Sequence, residues 1–372
     1  MDRPDAAIPP FIPGRELAGY LYREAVAPIL AQRFSGLEHG AGLLGSGSDA
    51  LGFDDAQSMD HHWGPRLWLF LDQAAFSEQL ADRVSRALGD ELPFEVHGFP
   101  THFEAFNQTE HTVFMAPTRR RPLRHMVFVT TVRRFCQAYL RLDPLDRPPS
   151  AADWLSTPEQ CLRTVTTGAI YHDGTGELTR VRQTLGWYPT DVWRYVLAAQ
   201  WRRIAQEEAF VGRTGQVGDE LGSRLVAARL VREIMHLGFL LERQYAPYSK
   251  WFGTAFGRLP CASELTPWLG ATLAATAWPE RERALGMAYS VVARLHNRLR
   301  LTASLPSEVS AFHERPFSVL HADRFVEALE AAIDDPTVRG LPPRVGSISQ
   351  WADSTDVLSY PAWYDRLRPL YG

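Results

Sequence analysis

GSGSDALGFDDAQSMDHHWGPRLWLFL, residues 45–71, decides how the rest of this chain is read. A short apolar run, Ala41-Gly42-Leu43-Leu44, precedes it and has the length of a buried strand ending in a turn of small residues. Glycine reaches dihedrals closed to other residues and lets a backbone approach a ligand closely. A helix beginning at Ser48 or Asp49 would aim its first unpaired N–H groups at that turn, where an anion is stabilised. Downstream, Leu67, Leu69 and Leu71 alternate as the buried face of a second strand, which the reading extends back to Asp60. Small residues for phosphates and a carboxylate able to hold Mg²⁺ are the two halves of a nucleotide-handling site.

Outward from this stretch, apolar residues at helical spacing predict a helix over 15–34 and an amphipathic one over 76–88 (Phe76, Leu80, Val84, Leu88). The alternation in FEVHGF, residues 94–99, predicts a third strand. Strands and helices interleaved over about 100 residues indicate an α/β or α+β unit. Beyond residue 125 helical patterns dominate, over 126–141, 158–170, 176–186, 190–210, 217–245, 264–276, 280–300 and 322–333. The expected division is therefore a mixed domain over 1–125 and a mainly α-helical domain over 126–372.

Composition narrows the function classes. The 372 residues are 45% hydrophobic and 22% charged, with formal charge −4, so no overall basic field recruits nucleic acid or anionic lipid. Cys136, Cys161 and Cys261 are too far apart for a metal or redox motif and fit reduced thiols in a cytoplasm. Neither a signal peptide nor a membrane span is expected. Among 39 basic residues Lys250 is the one lysine, set among aromatics in YAPYSKWFGTAF, residues 245–256.

The Gly-Ser turn followed by an acidic strand resembles the nucleotidyltransferase superfamily, which includes minimal nucleotidyltransferases and aminoglycoside adenylyltransferases. Eleven residues separate Gly47-Ser48 from Asp60, a spacing that superfamily tolerates. Longer phrases, GSGSDALGFD (45–54), SMDHHWGPR (58–66), YHDGTGEL (171–178), QWRRIAQEEAFVG (200–212) and YAPYSKWFGTAF, resemble an uncharacterised bacterial family of nucleotidyltransferase-like proteins with a C-terminal domain of unknown function. The resemblance implies a mixed sheet flanked by helices and a helical domain closing over the cleft. It implies that Gly45, Ser46, Gly47 and Ser48 hold the triphosphate of ATP or another NTP. Asp60 would bind Mg²⁺ or Mn²⁺, and the acceptor would be a small molecule. Where the superfamily carries a second carboxylate this chain has His62, with Asp49, Asp54 and Asp55 nearby in sequence. Glu95 is the further metal ligand expected on the third strand, ahead of Glu104.

Related two-domain adenylyltransferases use a helical-domain carboxylate as base toward the acceptor, a role that falls here to Glu207 or Glu208. The plainer reading of that helix is an i,i+4 ion pair between Arg203 and Glu207. Lys250 would offset triphosphate charge, and Arg119, Arg120, Arg121 and Arg124 could clamp a phosphate. The expected function is transfer of a nucleoside monophosphate from an NTP to a small-molecule acceptor. The alternatives are a catalytically degenerate nucleotide-binding or regulatory protein of the same fold, and a metal-dependent hydrolase using Asp60, His61 or His62, His97 and His102. Asp173 is expected to act structurally, in a turn before a helix.

Overall fold

The computed structural model describes residues 9–105 and 112–372. They form two compact units, one of residues 9–105, 112–148 and 161–186, the other of 149–160 and 187–372.

The first unit is built on a four-stranded mixed sheet. Its strands are β1 (His39–Leu43), β2 (Arg66–Leu71), β3 (Met126–Thr130) and β4 (Ala169–Asp173). Spatial order is β3-β2-β1-β4, with β1 antiparallel to both neighbours and β2 parallel to β3. Leu67, Leu69 and Leu71 are buried as the alternation predicts, against Leu17, Leu21, Leu30, Val84, Leu88 and Leu92. That face is covered by the helical run Gly14–Tyr20, Leu21–Val26 (π-helical) and Ala27–Arg33, and by the helix Glu78–Glu91. On the opposite face of β2, Trp68 and Phe70 pack with Phe128, Phe135 and Tyr139.

Three expectations are corrected. The third strand of the sheet is β3, not FEVHGF; that stretch makes only a tight hairpin, Glu95–Val96 with Phe99–Pro100, turning at His97 and Gly98, both at positive φ. The predicted helix over 126–141 divides into β3 and the helix Val132–Leu140, because Thr131 leaves helical dihedrals and its side chain caps the new helix at Arg134 N–H. The boundary near 125 therefore falls at the start of a sheet strand, and residues 161–186 return to the same sheet as β4 and its flanking helices.

The second unit is mainly helical, with one antiparallel strand pair, Ser310–Phe312 and Arg315–Val319. Its longest helices are Thr190–Glu207, Glu220–Leu241 and Trp278–Leu299; Ser249–Phe256 and Ala262–Ala274 lie between the last two, and Asp323–Ala331 follows them. Trp193, Trp201, Leu237, Phe239 and Tyr289 are buried at its centre, where Trp201 stacks on Phe325 at 4.2 Å. The three cysteines are buried and none forms a disulfide. No described helix is long and apolar enough to cross a membrane.

Candidate functional site

The Gly-Ser turn folds as the sequence predicts, a strand running into a turn and then the short helix Ser48–Leu51. What fills its mouth differs. Arg66, the first residue of β2, reaches into the turn and donates from Nε to Asp49 Oδ2 (2.7 Å) and from Nη2 to Asp49 Oδ1 (2.6 Å). Its Nη2 also donates to the Ser46 carbonyl at 2.9 Å. Both side chains are nearly fully buried, at 9% and 3% exposure. A buried bidentate pair of this kind is a rigid tie. Here it fastens the turn to the start of β2.

Gly45 and Gly47 both stand at positive φ (94° and 124°), and the atoms crowding them are the protein's own. A Cβ on Gly45 would come 2.8 Å from the Tyr139 hydroxyl, and one on Gly47 would fall against Arg66 Nη2 and Asp49 Oδ1. The glycines are thus explained by internal packing. Ser46 and Gly47 keep their exposure and Ser48 is half-buried.

Asp60 does not stand on β2. Gly64, at φ 140°, and Pro65 delay the strand until Arg66, so Asp60 lies on an exposed bend. Its carboxylate accepts from its neighbour His61, at the backbone N–H (2.8 Å) and at Nδ1 (2.8 Å). Slight burial opposes ionisation there, and the two His61 contacts outweigh it, holding the carboxyl below its usual range. His62 sits at φ 53° with its N–H donated to the Val113 carbonyl, so the expected strand alternation of Asp60 and His62 is absent. Glu95 is exposed on the two-residue hairpin strand, outside the main sheet, and Glu104 is exposed on another hairpin, Phe103–Ala105 with Val113–Met115.

The nearby aspartates are committed elsewhere. Asp49 holds Arg66. Asp54 accepts from Gly14 N–H (2.7 Å) and Trp63 Nε1 (3.0 Å), and Asp55 caps the turn at Ala56–Ser58. His97 bonds Glu24 and stacks on Tyr20, while His102 accepts from the Arg124 N–H. Among the described residues no group of three or more His, Cys, Asp or Glu side chains is placed to hold a metal ion. The divalent cation that the resemblance implies does not fit Asp60, His62 and Glu95 as they stand.

Of the arginine cluster, Arg119 and Arg121 lie over Phe94, and Arg121 also donates to the Leu92 carbonyl. Asp173 does act structurally: it ends β4 and accepts from the Leu178 and Thr179 N–H groups of the next helix.

Lys250, Glu207 and Glu208 belong to the second unit. Lys250 is exposed, its ammonium 5.0 Å from the Trp251 ring. Glu207 pairs with Arg229 (3.2 Å), not with Arg203; Arg203 instead grips the buried Glu233 in a bidentate pair at 2.7 and 2.8 Å. Glu208 is buried and accepts from the N–H groups of Leu320 (2.7 Å) and Ala322 (3.1 Å), clamping the corner before the helix Asp323–Ala331.

Burial pushes the Glu208 carboxyl up to about 7 against the opposing pull of those N–H donors. The folded chain thus holds this proton more tightly than the unfolded chain, so its contribution is most favourable below the ordinary carboxylate range and is lost as pH rises through 7. The urea midpoint of the wild type, relative to Glu208→Gln, should therefore fall between pH 4.5 and pH 7. A difference that is flat or rises with pH would refute the assignment.

Residues 154–252 match the sequence profile of a domain of unknown function (DUF4037). No curated protein matches the chain. The matched segment carries features that no local sequence pattern marks. Glu159, almost fully buried, accepts from His236 Nε2 (2.9 Å) and from the Ala246 N–H (2.8 Å). Beside His236 the second unit forms a half-open cavity of about 330 Å³. The cues were faint, because Glu159 and His236 are 77 residues apart and each looks like ordinary helix surface. Arg66 was easier to find, being a charged residue opening an otherwise apolar strand.

Proposed function

We propose that the first unit is a nucleotidyltransferase-like scaffold on which group transfer has been lost, and that the chain binds a nucleotide without transferring it. The observation that carries this reading is the Asp49–Arg66 pair. Where a transfer site needs carboxylates free to gather around a cation, an arginine closes the turn and takes the nearest carboxylate for itself. Asp60, on an exposed bend, and Glu95, exposed on a separate hairpin strand, support the same conclusion. The exposed Ser46-Gly47 backbone, on a turn held rigid by Arg66, supports retained binding. Nucleotide is the ligand class that follows from the resemblance of the Gly-Ser turn.

Calorimetry with a non-hydrolysable ATP analogue should give the same affinity with Mg²⁺, with Mn²⁺ and with neither. Incubation with the four NTPs should release no pyrophosphate. Pyrophosphate release that disappears in Asp60→Ala, with the fold intact, would restore the transferase reading.

A further inference from the structure

The cavity in the second unit has a size, a wall and a polarity that together define a ligand class, independently of the Gly-Ser turn. At about 330 Å³ it falls in the range of small-molecule sites. Its wall is largely apolar, from Val231, Met235, Phe252 and Leu358 among others. His236 lines it, its ring paired with Glu159, and both side chains are buried. Both Glu159 oxygens are already engaged, one by His236 and one by the Ala246 N–H, so Glu159 offers no open carboxylate to a cationic ligand.

At the wall stands Arg232, on the long helix Glu220–Leu241, with its guanidinium 5.9 Å from the Phe252 ring. Its partner is Asp353, 2.8 Å away, whose side chain is 83% exposed on the loop between the short helices Ile348–Trp351 and Thr355–Ser359. The two partners are unequal. Arg232 is held by a long helix and an aromatic ring, while Asp353 stands mostly in water. Ion pairs this exposed contribute about 0–1 kcal/mol, so another anion can take the place of Asp353 at small cost. An Arg fork matches a carboxylate or a phosphate equally well.

We propose that this cavity binds a small organic anion with an aromatic or apolar body, its carboxylate or phosphate replacing Asp353 on Arg232. Asp353 then acts as a place-holder that keeps the guanidinium paired until ligand arrives.

Four probes of one shape class test this by calorimetry on the full chain: phenylpropionate, phenyl phosphate, phenylpropanol and phenylpropylamine. One or both anions should bind saturably, and the stronger of the two identifies the head group. The alcohol and the amine should bind about tenfold more weakly or not at all. Arg232→Gln should weaken anion binding by about tenfold. Asp353→Asn should strengthen it by a few fold, on the order of the ion pair it removes. Both positions are solvent-facing, and an unchanged thermal midpoint would show that the variants fold. No saturable binding of either anion, preference for the amine, or an Asp353→Asn variant that binds anions no better than wild type would each overturn the proposal. Arg66→Met, in the other unit, should leave the anion affinity unchanged, which separates failure here from failure at the Gly-Ser turn.

Discussion

Asp49→Ala is expected to lower the stability of the first unit by about 3–5 kcal/mol, the usual cost of leaving one member of a buried ion pair without its partner. Arg66 would keep a single acceptor, the Ser46 carbonyl, for a guanidinium 9% exposed. Its fixed charge cannot be relieved by losing a proton. The expected fall in thermal midpoint is on the order of 10 °C. Hydrogen exchange should localise the loosening to residues 39–71, because the turn would lose its tie to β2. Arg66→Met removes the charge as well as the hydrogen bonds, and the double variant Asp49→Ala/Arg66→Met should be more stable than Asp49→Ala alone. That ordering is specific to a buried pair, since two independent contacts would simply add their losses. A loss below about 1 kcal/mol in Asp49→Ala would place the pair among weak surface contacts and remove the main support for the non-transferring reading.

The parts of this fold that were legible in the sequence are those with long periodic signals. β2 reads as Leu67, Leu69 and Leu71 in strict alternation, and the helices Glu177–Leu185, Thr190–Glu207 and Trp278–Leu299 read from apolar spacing. What failed was continuity. MVFVT runs directly into TVRRF with only Thr131 to mark the change from strand to helix, and a helical window averages across it. AIYHD was divided between a helix and a loop, although Gly168, at φ 82°, marks the break before the strand. A linear cut at 125 could not anticipate that β4 rejoins the sheet.

The site was half legible for a related reason. Spacing placed the Gly-Ser turn correctly, because strand, turn and helix are local. The position of Asp60 depended on where β2 begins, and Gly64-Pro65 moved that start by six residues, from Asp60 to Arg66. Charge pairing across the turn is a tertiary fact. Asp49 and Arg66 are 17 residues apart, and nothing local says that one will hold the other rather than a cation.

Gly47→Ala separates the two readings of the turn most directly. At φ 124° and ψ 147° this residue occupies backbone territory open in practice to glycine alone, and forcing alanine there costs about 1–3 kcal/mol. The added Cβ must also displace Arg66 Nη2 and Asp49 Oδ1. A flexible side-chain tip would ordinarily yield, but this guanidinium is buried and bonded on two edges, so moving it breaks the pair. The combined loss should reach about 4 kcal/mol in the protein without any ligand. In an Arg66→Met background the steric part largely vanishes, so the same substitution should cost only its backbone share, about 1–3 kcal/mol. Gly45→Ala is the control: it too is strained, at φ 94°, but meets the Tyr139 hydroxyl, the tip of a side chain with no comparable tie. If these glycines exist instead to let a triphosphate approach, Gly47→Ala will weaken nucleotide binding while costing the free protein no more than the backbone share, about 1–3 kcal/mol. Equal losses for Gly47→Ala in the wild-type and Arg66→Met backgrounds would show that the turn is not shaped by its arginine.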